Sequence, residues 1–324
     1  MKSYRFTNGD SMPLLGLGTW RSFEGEAYSS VRTAIELGYR LFDCAYLYRN
    51  ETEIGQAIQD AIKAGDVQRE ELFIISKLWN DVHAKEDVMP ALNDCLHRLQ
   101  LEYLDAWLIH WPVAWKKGNM MPKDAQDYYF PDEIPLSETW EAMISTKEKN
   151  KAKHIGVSNF NIKHLEEIIA KTYTVPEINQ IESHPYLHQQ PLKQFADQNN
   201  MLMMAYKPLG SGGTLREDMK KINLPPLLEH PIIQEIALEI NKTVAQVVLA
   251  WQMARGVAVI PKSADKKRQE ENLEAADILL NPTQITRLNG FESNIRFVDG
   301  VVFTENNSPY TLDYIWGNQS SNTV

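Results

Sequence analysis

Short apolar runs alternate with amphipathic helical stretches eight times along this chain, and this alternation limits the folds open to it. The candidate strands are LLGLGTW, YRLFDC, LFIISK, DAWLIH, HIGVSN, EINQIE, LMMAYK and VAVIPK. Stretches such as ETEIGQAIQDAIKAG and TVAQVVLAWQMARG lie between them and have the spacing of helices. Strand and helix in turn indicate a parallel sheet with helical crossovers. Eight repeats in 324 residues favour a closed (β/α)8 (TIM) barrel, with an open doubly wound sheet as the alternative.

No composition shift or long linker divides the chain, so residues 1–324 are interpreted as one barrel domain. An N-terminal β-hairpin with its turn at Asn8-Gly9 precedes the first repeat. Two long segments accompany the repeats: a rim loop after the fourth strand, residues 112–135, and a C-terminal tail, residues 296–324. The rim loop contains the aromatic residues Tyr128, Tyr129 and Phe130. Loops of this length are often functional lids.

Composition describes an ordinary globular protein and argues against several partners. Hydrophobic residues make up 43% of the chain, which suffices for a large core. The formal net charge of -10 argues against a nucleic-acid partner, because that function needs a basic face. Two cysteines, the absence of an apolar run of about 18 residues and a polar N-terminus predict a soluble, cytoplasmic protein with no membrane association. No self-pairing motif is evident, so we expect a monomer.

The ends of the candidate strands form a chemically diverse set. The first strand ends at Trp20, and the others end at polar residues: Asp43, Lys77, His110, Asn159, Gln180 (before Glu182), Tyr206 and Lys262. In a parallel barrel these ends meet at one rim, which is where TIM-barrel active sites lie. Strand ends are polar in any case, because the chain leaves the core there. A rim that holds a lysine, a histidine and an aspartate nevertheless favours an active site.

Several segments resemble the signatures of a known enzyme family. LFDCAYLYRNETEIG, IISKLWN, LIHWPV, GVSNF, INQIESHPYLHQ and IPKSADKKRQEEN are similar to motifs of the aldo-keto reductases, in particular the aldose and aldehyde reductases. The similarity runs from the N-terminal hairpin to about Asn272, and the tail is less similar. The resemblance implies a barrel enzyme that reduces aldehydes, with aldoses as one candidate class, to alcohols with NADPH.

Four rim residues suit that chemistry. Reduction of a carbonyl needs a hydride for the carbon and a proton for the developing alkoxide. Tyr48 is protonated at neutral pH and can donate. Lys77 can stabilise the tyrosinate that remains, and Asp43 can keep the buried ammonium charged. His110 can hydrogen-bond the substrate oxygen. The resemblance implies these same roles for the four residues.

Each of the four also has an ordinary structural interpretation. Tyr48, close to Tyr46, could be a packing aromatic, and Asp43 with Lys77 could be a purely structural ion pair. His110 could be a buried histidine with satisfied hydrogen bonds. The catalytic interpretation rests on all four arriving at one rim.

The cofactor site has to be found without a Rossmann motif, since Gly16 and Gly18 have no third glycine after them. Lys262, Ser263 and Arg268 lie where a strand leads into a helix, a suitable place for an anion. A 2′-phosphate would fit this cluster, which favours NADPH over NADH. A solvated basic helix start is the alternative. The resemblance gives these three residues the 2′-phosphate, and it gives Glu271 and Asn272 the adenine.

The nicotinamide end is assigned through the resemblance. Ser158, Asn159 and Gln180 match positions that bind the carboxamide, and Tyr206 matches the aromatic on which the ring stacks. Capping or turn hydrogen bonds are the structural alternative for the two amides. The remaining predicted cofactor contacts are Thr19, Trp20, Asp43, Lys207, Pro208, Leu209, Ser211 and Ile260. Lys207 departs from the family, which usually has serine there, and the SGGTLRED run that follows lacks the family's arginine-proline-tryptophan sequence. Closure of this loop over the cofactor is therefore expected to differ.

The predicted substrate pocket is aromatic with one polar corner. Its candidates are Trp20, Tyr48, Trp79, His110, Trp111 and, from the tail, Phe297, with Val298 and Val301 as further contacts. Such a pocket favours aromatic or aliphatic aldehydes. His184 and His188 have a spacing that could suit a metal, but no carboxylate or thiol supports them in HPYLH, so no metal is expected.

Two other functions remain open from the sequence. The first is a reductase that acts mainly on ketones or other lipophilic carbonyls, which would share the four rim residues and differ in the two long segments. The second is a binding or structural protein that keeps the fold without catalysis. The intact set of four residues argues against the second.

Overall fold

The computed structural model describes residues 2–211, 224–291 and 293–317. Its first element is an antiparallel hairpin of β1 (Ser3–Arg5) and β2 (Ser11–Pro13), with Gly9 in the turn at a φ of 93°. Phe6 stacks on His154 with ring centroids 3.9 Å apart and on Phe73 at 6.0 Å. Because both partners lie near the starts of barrel strands, the hairpin packs against the N-terminal end of the barrel. The predicted hairpin and its turn are confirmed.

Eight parallel strands form a single sheet in chain order. They are β3 (Leu17–Gly18), β4 (Leu41–Asp43), β5 (Phe73–Leu78), β6 (Leu104–Ile109), β7 (Ala152–Ser158), β8 (Ile178–Glu182), β9 (Leu202–Tyr206) and β10 (Ala258–Val259). Leu15 forms a parallel bridge with Val259, and the Gly18 amide donates to the Pro261 carbonyl at 3.1 Å. These contacts join the first strand to the last. The predicted closed (β/α)8 barrel is therefore confirmed.

Helices cover the outside of the barrel, and most of them match the predicted patterns. They are α1 (Glu26–Leu37), α2 (Glu51–Ala64), α3 (Lys85–Leu99), α4 (Leu136–Glu148), α5 (Ile162–Thr172), α6 (Gln190–Gln198), α7 (Pro231–Glu239), α8 (Val244–Ala254), α9 (Lys266–Glu274), α10 (Pro282–Asn289) and α11 (Leu312–Trp316). Helices α7, α10 and α11 were not predicted from the sequence. Both α7 and α10 begin with proline at the first helical position, a start signal that could have been used.

Barrel closure depends on a position without a side chain. A Cβ atom on Gly18 would lie 2.6 Å from the carbonyl oxygen of Ile260, a backbone atom that cannot rotate away. Glycine therefore lets the first and last strands approach closely. The same approach brings the start of the chain next to Lys262, three residues beyond β10.

The two long segments pack together over one end of the barrel. Tyr128 of the rim loop donates to the Glu305 carbonyl at 3.0 Å, and the Tyr310 hydroxyl accepts from the Ala114 amide at 2.9 Å. Trp115 of the rim loop lies 6.0 Å from Phe303 of the tail. Rim loop and tail thus form one aromatic cover. Among the described residues, no helix has the length and apolarity that a membrane crossing requires.

Candidate active site

The buried ammonium of Lys77, on β5, is the centre of the candidate site. Its Nζ lies 2.8 Å from both carboxylate oxygens of Asp43, 2.9 Å from the Cys44 carbonyl and 3.3 Å from the Tyr48 hydroxyl. Lys77 is fully buried and Asp43 is 2% exposed. A lone buried ammonium would lose its charge, and the carboxylate offsets that penalty. The structure thus brings Asp43, Lys77 and Tyr48 together, as the sequence predicted.

Asp43 is held from two further sides. The Gln180 side chain on β8 donates from Nε2 to Asp43 Oδ1 at 2.6 Å. Thr19, just after β3, donates from Oγ1 to the Asp43 carbonyl at 2.8 Å. Both residues were predicted as cofactor contacts. In the structure they also fix the carboxylate and backbone of Asp43, which in turn positions Lys77.

Tyr48 reaches the site from a turn rather than from a strand. It ends a single 3-10 turn, Tyr46–Tyr48, that follows β4 closely. Burial of the hydroxyl, together with the negative charge of Asp43 and the nearby Cys44, raises the pKa of Tyr48 well above its ordinary value. Tyr48 therefore keeps its proton at neutral pH.

His110 lies between Tyr48 and Trp79. Its ring meets both edge-on, with centroids 6.0 Å from Tyr48 and 5.1 Å from Trp79. Burial, with further contributions from Lys77 and His83, holds the pKa of His110 well below its ordinary value. The imidazole is therefore neutral and carries one N–H. A neutral imidazole can donate one hydrogen bond to a carbonyl oxygen without placing a second cation beside Lys77.

A second network joins the predicted nicotinamide contacts. Tyr206 donates from its hydroxyl to Asn159 Oδ1 at 2.8 Å, and Asn159 Nδ2 donates to the His110 carbonyl at 3.0 Å. Ser158 Oγ donates to the Gln180 carbonyl at 2.8 Å. Asn159 has a φ of 64°, a left-handed conformation that asparagine tolerates better than most residues. These side chains lie together at the rim and brace the backbone of His110.

The predicted phosphate site lies between β10 and α9. Asp265 caps α9 by accepting from the Arg268 amide at 2.9 Å, and Ser263 Oγ is 3.2 Å from the Asp265 amide. Lys262 and Arg268 have exposed side chains near this helix start. Lys262 is not free: its Nζ lies 3.1 Å from Glu26 Oε2 on α1, an acidic partner that the sequence analysis missed.

The predicted adenine contacts lie in the second turn of α9. Glu271 accepts from the Thr243 hydroxyl at 2.6 Å, and Asn272 is buried with 5% exposure. Lys262 and Ser263 precede α9, and Arg268, Glu271 and Asn272 lie on it. The five residues predicted for the phosphate and the adenine therefore belong to one segment, residues 262–272.

The segment after β9 begins in an unusual conformation. Lys207 has a φ of 46°, and its ammonium lies 5.9 Å from the Phe297 ring. Leu209 packs against the barrel core, while Pro208 is buried and Ser211 is partly buried. Ile260 is likewise buried, 5% exposed, at the end of β10. The glycine-rich run that departs from the family pattern lies, from residue 212, outside the described residues.

Two of the predicted pocket tryptophans contact Tyr48 and His110, and a third contacts the tail. Trp20 lies 4.9 Å from Tyr48, and Trp79 lies beside His110. Trp111 meets Phe303 at 4.3 Å and Trp316 at 5.6 Å, two tail residues that the sequence analysis did not name.

Phe297 belongs to a different group. Its ring lies 4.8 Å from His184, and it packs with Tyr186 and Leu227 on the side of the Lys207 segment. Phe297 thus lies beside the segment that follows β9, and Phe303, rather than Phe297, lies next to Trp111. Val298 packs with the Trp111 group, while Val301 is 36% exposed. Nothing in the tail's sequence pattern distinguishes Phe303 from Phe297, because the difference depends on how the tail folds back.

His184 has a structural partner. Its Nε2 lies 2.9 Å from Glu182 Oε1, and the same carboxylate accepts from the amides of Phe297 and Val298 at 2.6 and 2.8 Å. Burial alone would raise the pKa of Glu182, but His184 and these amides hold it below its ordinary value. The His184–Glu182 pair therefore anchors the start of the tail to β8.

The burial of His83 leads us to expect that the free energy of unfolding falls as the pH is lowered. The His83 side chain is buried, neither ring nitrogen has a hydrogen-bond partner among the described residues, and burial lowers its pKa to about 3. The unfolded chain takes up this proton below about pH 6.5, whereas the folded protein does not until about pH 3. The unfolded state therefore binds more protons in that window, and His83 costs stability as the pH falls through it, by up to about 1.4 kcal/mol per pH unit.

We expect His83→Gln to remove this dependence. Between pH 6 and pH 4 the variant should lose about 2.5 kcal/mol less unfolding free energy than the parent protein. Equilibrium urea unfolding at a series of pH values measures the difference. His97→Gln, the same substitution at an exposed position on α3, is the control. Parallel stability curves for the parent protein and His83→Gln would contradict the assignment.

Comparison with known proteins agrees with this geometry. The model of the Aldo/keto reductase family matches residues 14–293. An aldo/keto reductase of Synechocystis sp. is 42% identical over 316 residues, which cover 98% of this chain and 96% of that protein. The human protein named aldo-keto reductase family 1 member A1 is 40% identical, with 90% and 89% covered. The solved structure of an aldose reductase from Schistosoma japonicum superposes with a TM-score of 0.85 at 37% identity, covering 93% of this chain and 96% of that one.

Proposed function

Since the chain belongs to the aldo/keto reductase family, we propose that it reduces aldehydes to alcohols with NADPH, with Tyr48 as the proton donor. The observation that carries this proposal is the Lys77 ammonium, 2.8 Å from the Asp43 carboxylate and 3.3 Å from the Tyr48 hydroxyl. A structural ion pair has no need of the tyrosine. A proton donor needs a partner whose charge stabilises the anion left behind.

The roles of the four residues follow from their surroundings. NADPH, when bound, would supply the hydride that the carbonyl carbon needs. The neutral His110 donates a hydrogen bond that orients the carbonyl oxygen. Tyr48 gives its proton to that oxygen, and the tyrosinate is stabilised by Lys77 at 3.3 Å. Because the pKa of Tyr48 is raised, its proton is released only to a strong base such as a developing alkoxide.

The residues at both ends of the cofactor site suit NADPH. Asn159, Gln180 and Ser158 gather amide and hydroxyl groups beside His110, where a carboxamide needs donors and acceptors. Lys262 and Arg268 put two cations near the start of α9, and Ser263 adds a hydroxyl. Cationic and hydroxyl groups of this kind suit a 2′-phosphate, which supports NADPH over NADH.

The pocket supports small aromatic or aliphatic aldehydes as substrates. Trp20, Trp79, Trp111 and Phe303 provide apolar walls around the single polar corner of Tyr48 and His110. Aldoses are a candidate class, because their hydroxyl groups can be bound by that polar corner. We place the reaction in the cytoplasm, with the monomer as working unit; the two thiols, Cys44 and Cys95, are free and buried, as suits a reducing compartment.

A substrate panel with both cofactors tests the proposal. The purified protein should oxidise NADPH with an aromatic aldehyde and with glyceraldehyde, and much more slowly with NADH. Xylose and a set of ketones, steroids included, distinguish an aldose or aldehyde reductase from a reductase of lipophilic ketones. Binding of NADPH without turnover of any reactive aldehyde would indicate a non-catalytic protein on the same fold and would overturn the proposal.

A further inference from the structure

Glu26, in the first turn of α1, lies against one of the cations assigned to the cofactor phosphate. Its Oε2 is 3.1 Å from Lys262 Nζ and 3.2 Å from the Phe23 amide. The two charged side chains are 35% and 33% exposed, so water and ions reach both. The carboxylate is therefore anchored on one side by the backbone and presents its charge to Lys262 on the other.

This contact places a carboxylate where an incoming phosphate needs a cation. A 2′-phosphate that binds Lys262 either displaces Glu26 from the ammonium or shares it with a negative charge a few ångströms away. Either course weakens binding of a cofactor that carries the phosphate. A cofactor without the phosphate leaves the Glu26–Lys262 pair intact and meets neither cost.

We propose that Glu26 is a specificity-determining residue that competes with the 2′-phosphate for Lys262 and so narrows the preference for NADPH over NADH. The inference rests on the proposed function, in that Lys262 is taken to bind the phosphate. Arg268 forms no ion pair among the described residues, so the competition acts on one of the two cations. In this proposal NADPH is bound by Arg268 and by a Lys262 whose charge is partly neutralised by Glu26.

Glu26→Gln tests the proposal by direct binding. It keeps the size of the side chain and an acceptor for the Phe23 amide but removes the charge. We expect the dissociation constant for NADPH to fall about 3- to 10-fold, the range of an exposed ion pair plus a screened repulsion. The constant for NADH should change less than about 1.5-fold. Quenching of tryptophan fluorescence by each cofactor gives both constants.

A matched control is available two residues earlier. Glu24 is exposed on the loop just before α1, so Glu24→Gln makes the same change in net charge without removing a partner of Lys262. This variant should shift NADPH binding less than about 1.5-fold. If Glu24→Gln tightened NADPH as much as Glu26→Gln, the effect would be long-range charge and the proposal would be overturned. It would also be overturned if Glu26→Gln left NADPH binding unchanged or weakened it.

Nucleotide fragments separate this inference from the proposed function. Glu26→Gln should tighten adenosine 2′-monophosphate by the same factor as NADPH and leave adenosine 5′-monophosphate unchanged. An equal gain for the two fragments, or for NADPH and NADH, would show that Glu26 does not act on the 2′-phosphate. Failure of the proposed cofactor site appears in another measurement: loss of Lys262 and Arg268 together would then weaken NADPH and NADH equally.

Discussion

Tyr48→Phe should lower kcat for aldehyde reduction by about 10³-fold, within the range of a lost general acid, and leave the dissociation constant for NADPH within about 2-fold. The hydroxyl is the only part removed, so the ring keeps its contacts with Trp20 and His110. Lys77 keeps Asp43 and the Cys44 carbonyl as partners, and the buried charge stays compensated. A fall in kcat would therefore be due to the missing proton donor and not to altered packing. Steady-state kinetics and NADPH titration measure the two quantities.

Tyr46→Phe is the matched control for this experiment. Tyr46 lies on the same 3-10 turn, two residues earlier, and its ring contacts Arg49 at 4.4 Å and Arg98 at 4.9 Å rather than Lys77. This variant should keep most of the activity. Retained activity in Tyr48→Phe would refute the proton-donor role. An equal loss in both variants would show that the turn, rather than the Tyr48 hydroxyl, is what the reaction requires.

The barrel was predictable because its evidence is local and repeated. Each strand is a short apolar run and each helix has its own periodicity, so eight separate patterns support one architecture. Of the helices that were not predicted, α7 and α10 have a proline start signal, whereas α11 is only five residues long. The five-residue helix α11 is held by tail contacts such as the hydrogen bonds from Asn161 Nδ2 to the carbonyls of Tyr314 and Ile315. Such contacts join residues far apart in sequence and produce no periodic pattern of apolar residues from which the helix could be predicted.

The clustering of Asp43, Tyr48, Lys77 and His110 was predictable because a parallel barrel carries strand ends to one rim. Asp43 and Lys77 are 34 residues apart, yet strand order alone makes them neighbours at that rim. Glu26 and Lys262 are 236 residues apart, and their meeting depends on barrel closure and on the rotamers of two long side chains. Closure was predictable, but the rotamers were not. The same limit applies to Phe303, whose place beside Trp111 depends on the path of the tail.

Lys262→Ala combined with Arg268→Ala should raise the dissociation constant for NADPH roughly 100-fold and that for NADH less than about 3-fold. Each removed cation loses a charge-assisted hydrogen bond to the 2′-phosphate, and partial exposure of both side chains limits the loss. Lys266→Ala with Lys267→Ala is the control, because it removes the same charge from exposed positions in the first turn of α9. Fluorescence titration with both cofactors measures the constants. Equal weakening of NADPH and NADH would refute the 2′-phosphate assignment, whereas selective loss of NADPH would place the phosphate between β10 and α9. In a protein that also carries Glu26→Gln, the same double substitution should raise the dissociation constant for NADPH by a larger factor. The reason is that Lys262 then binds the phosphate without competition from Glu26.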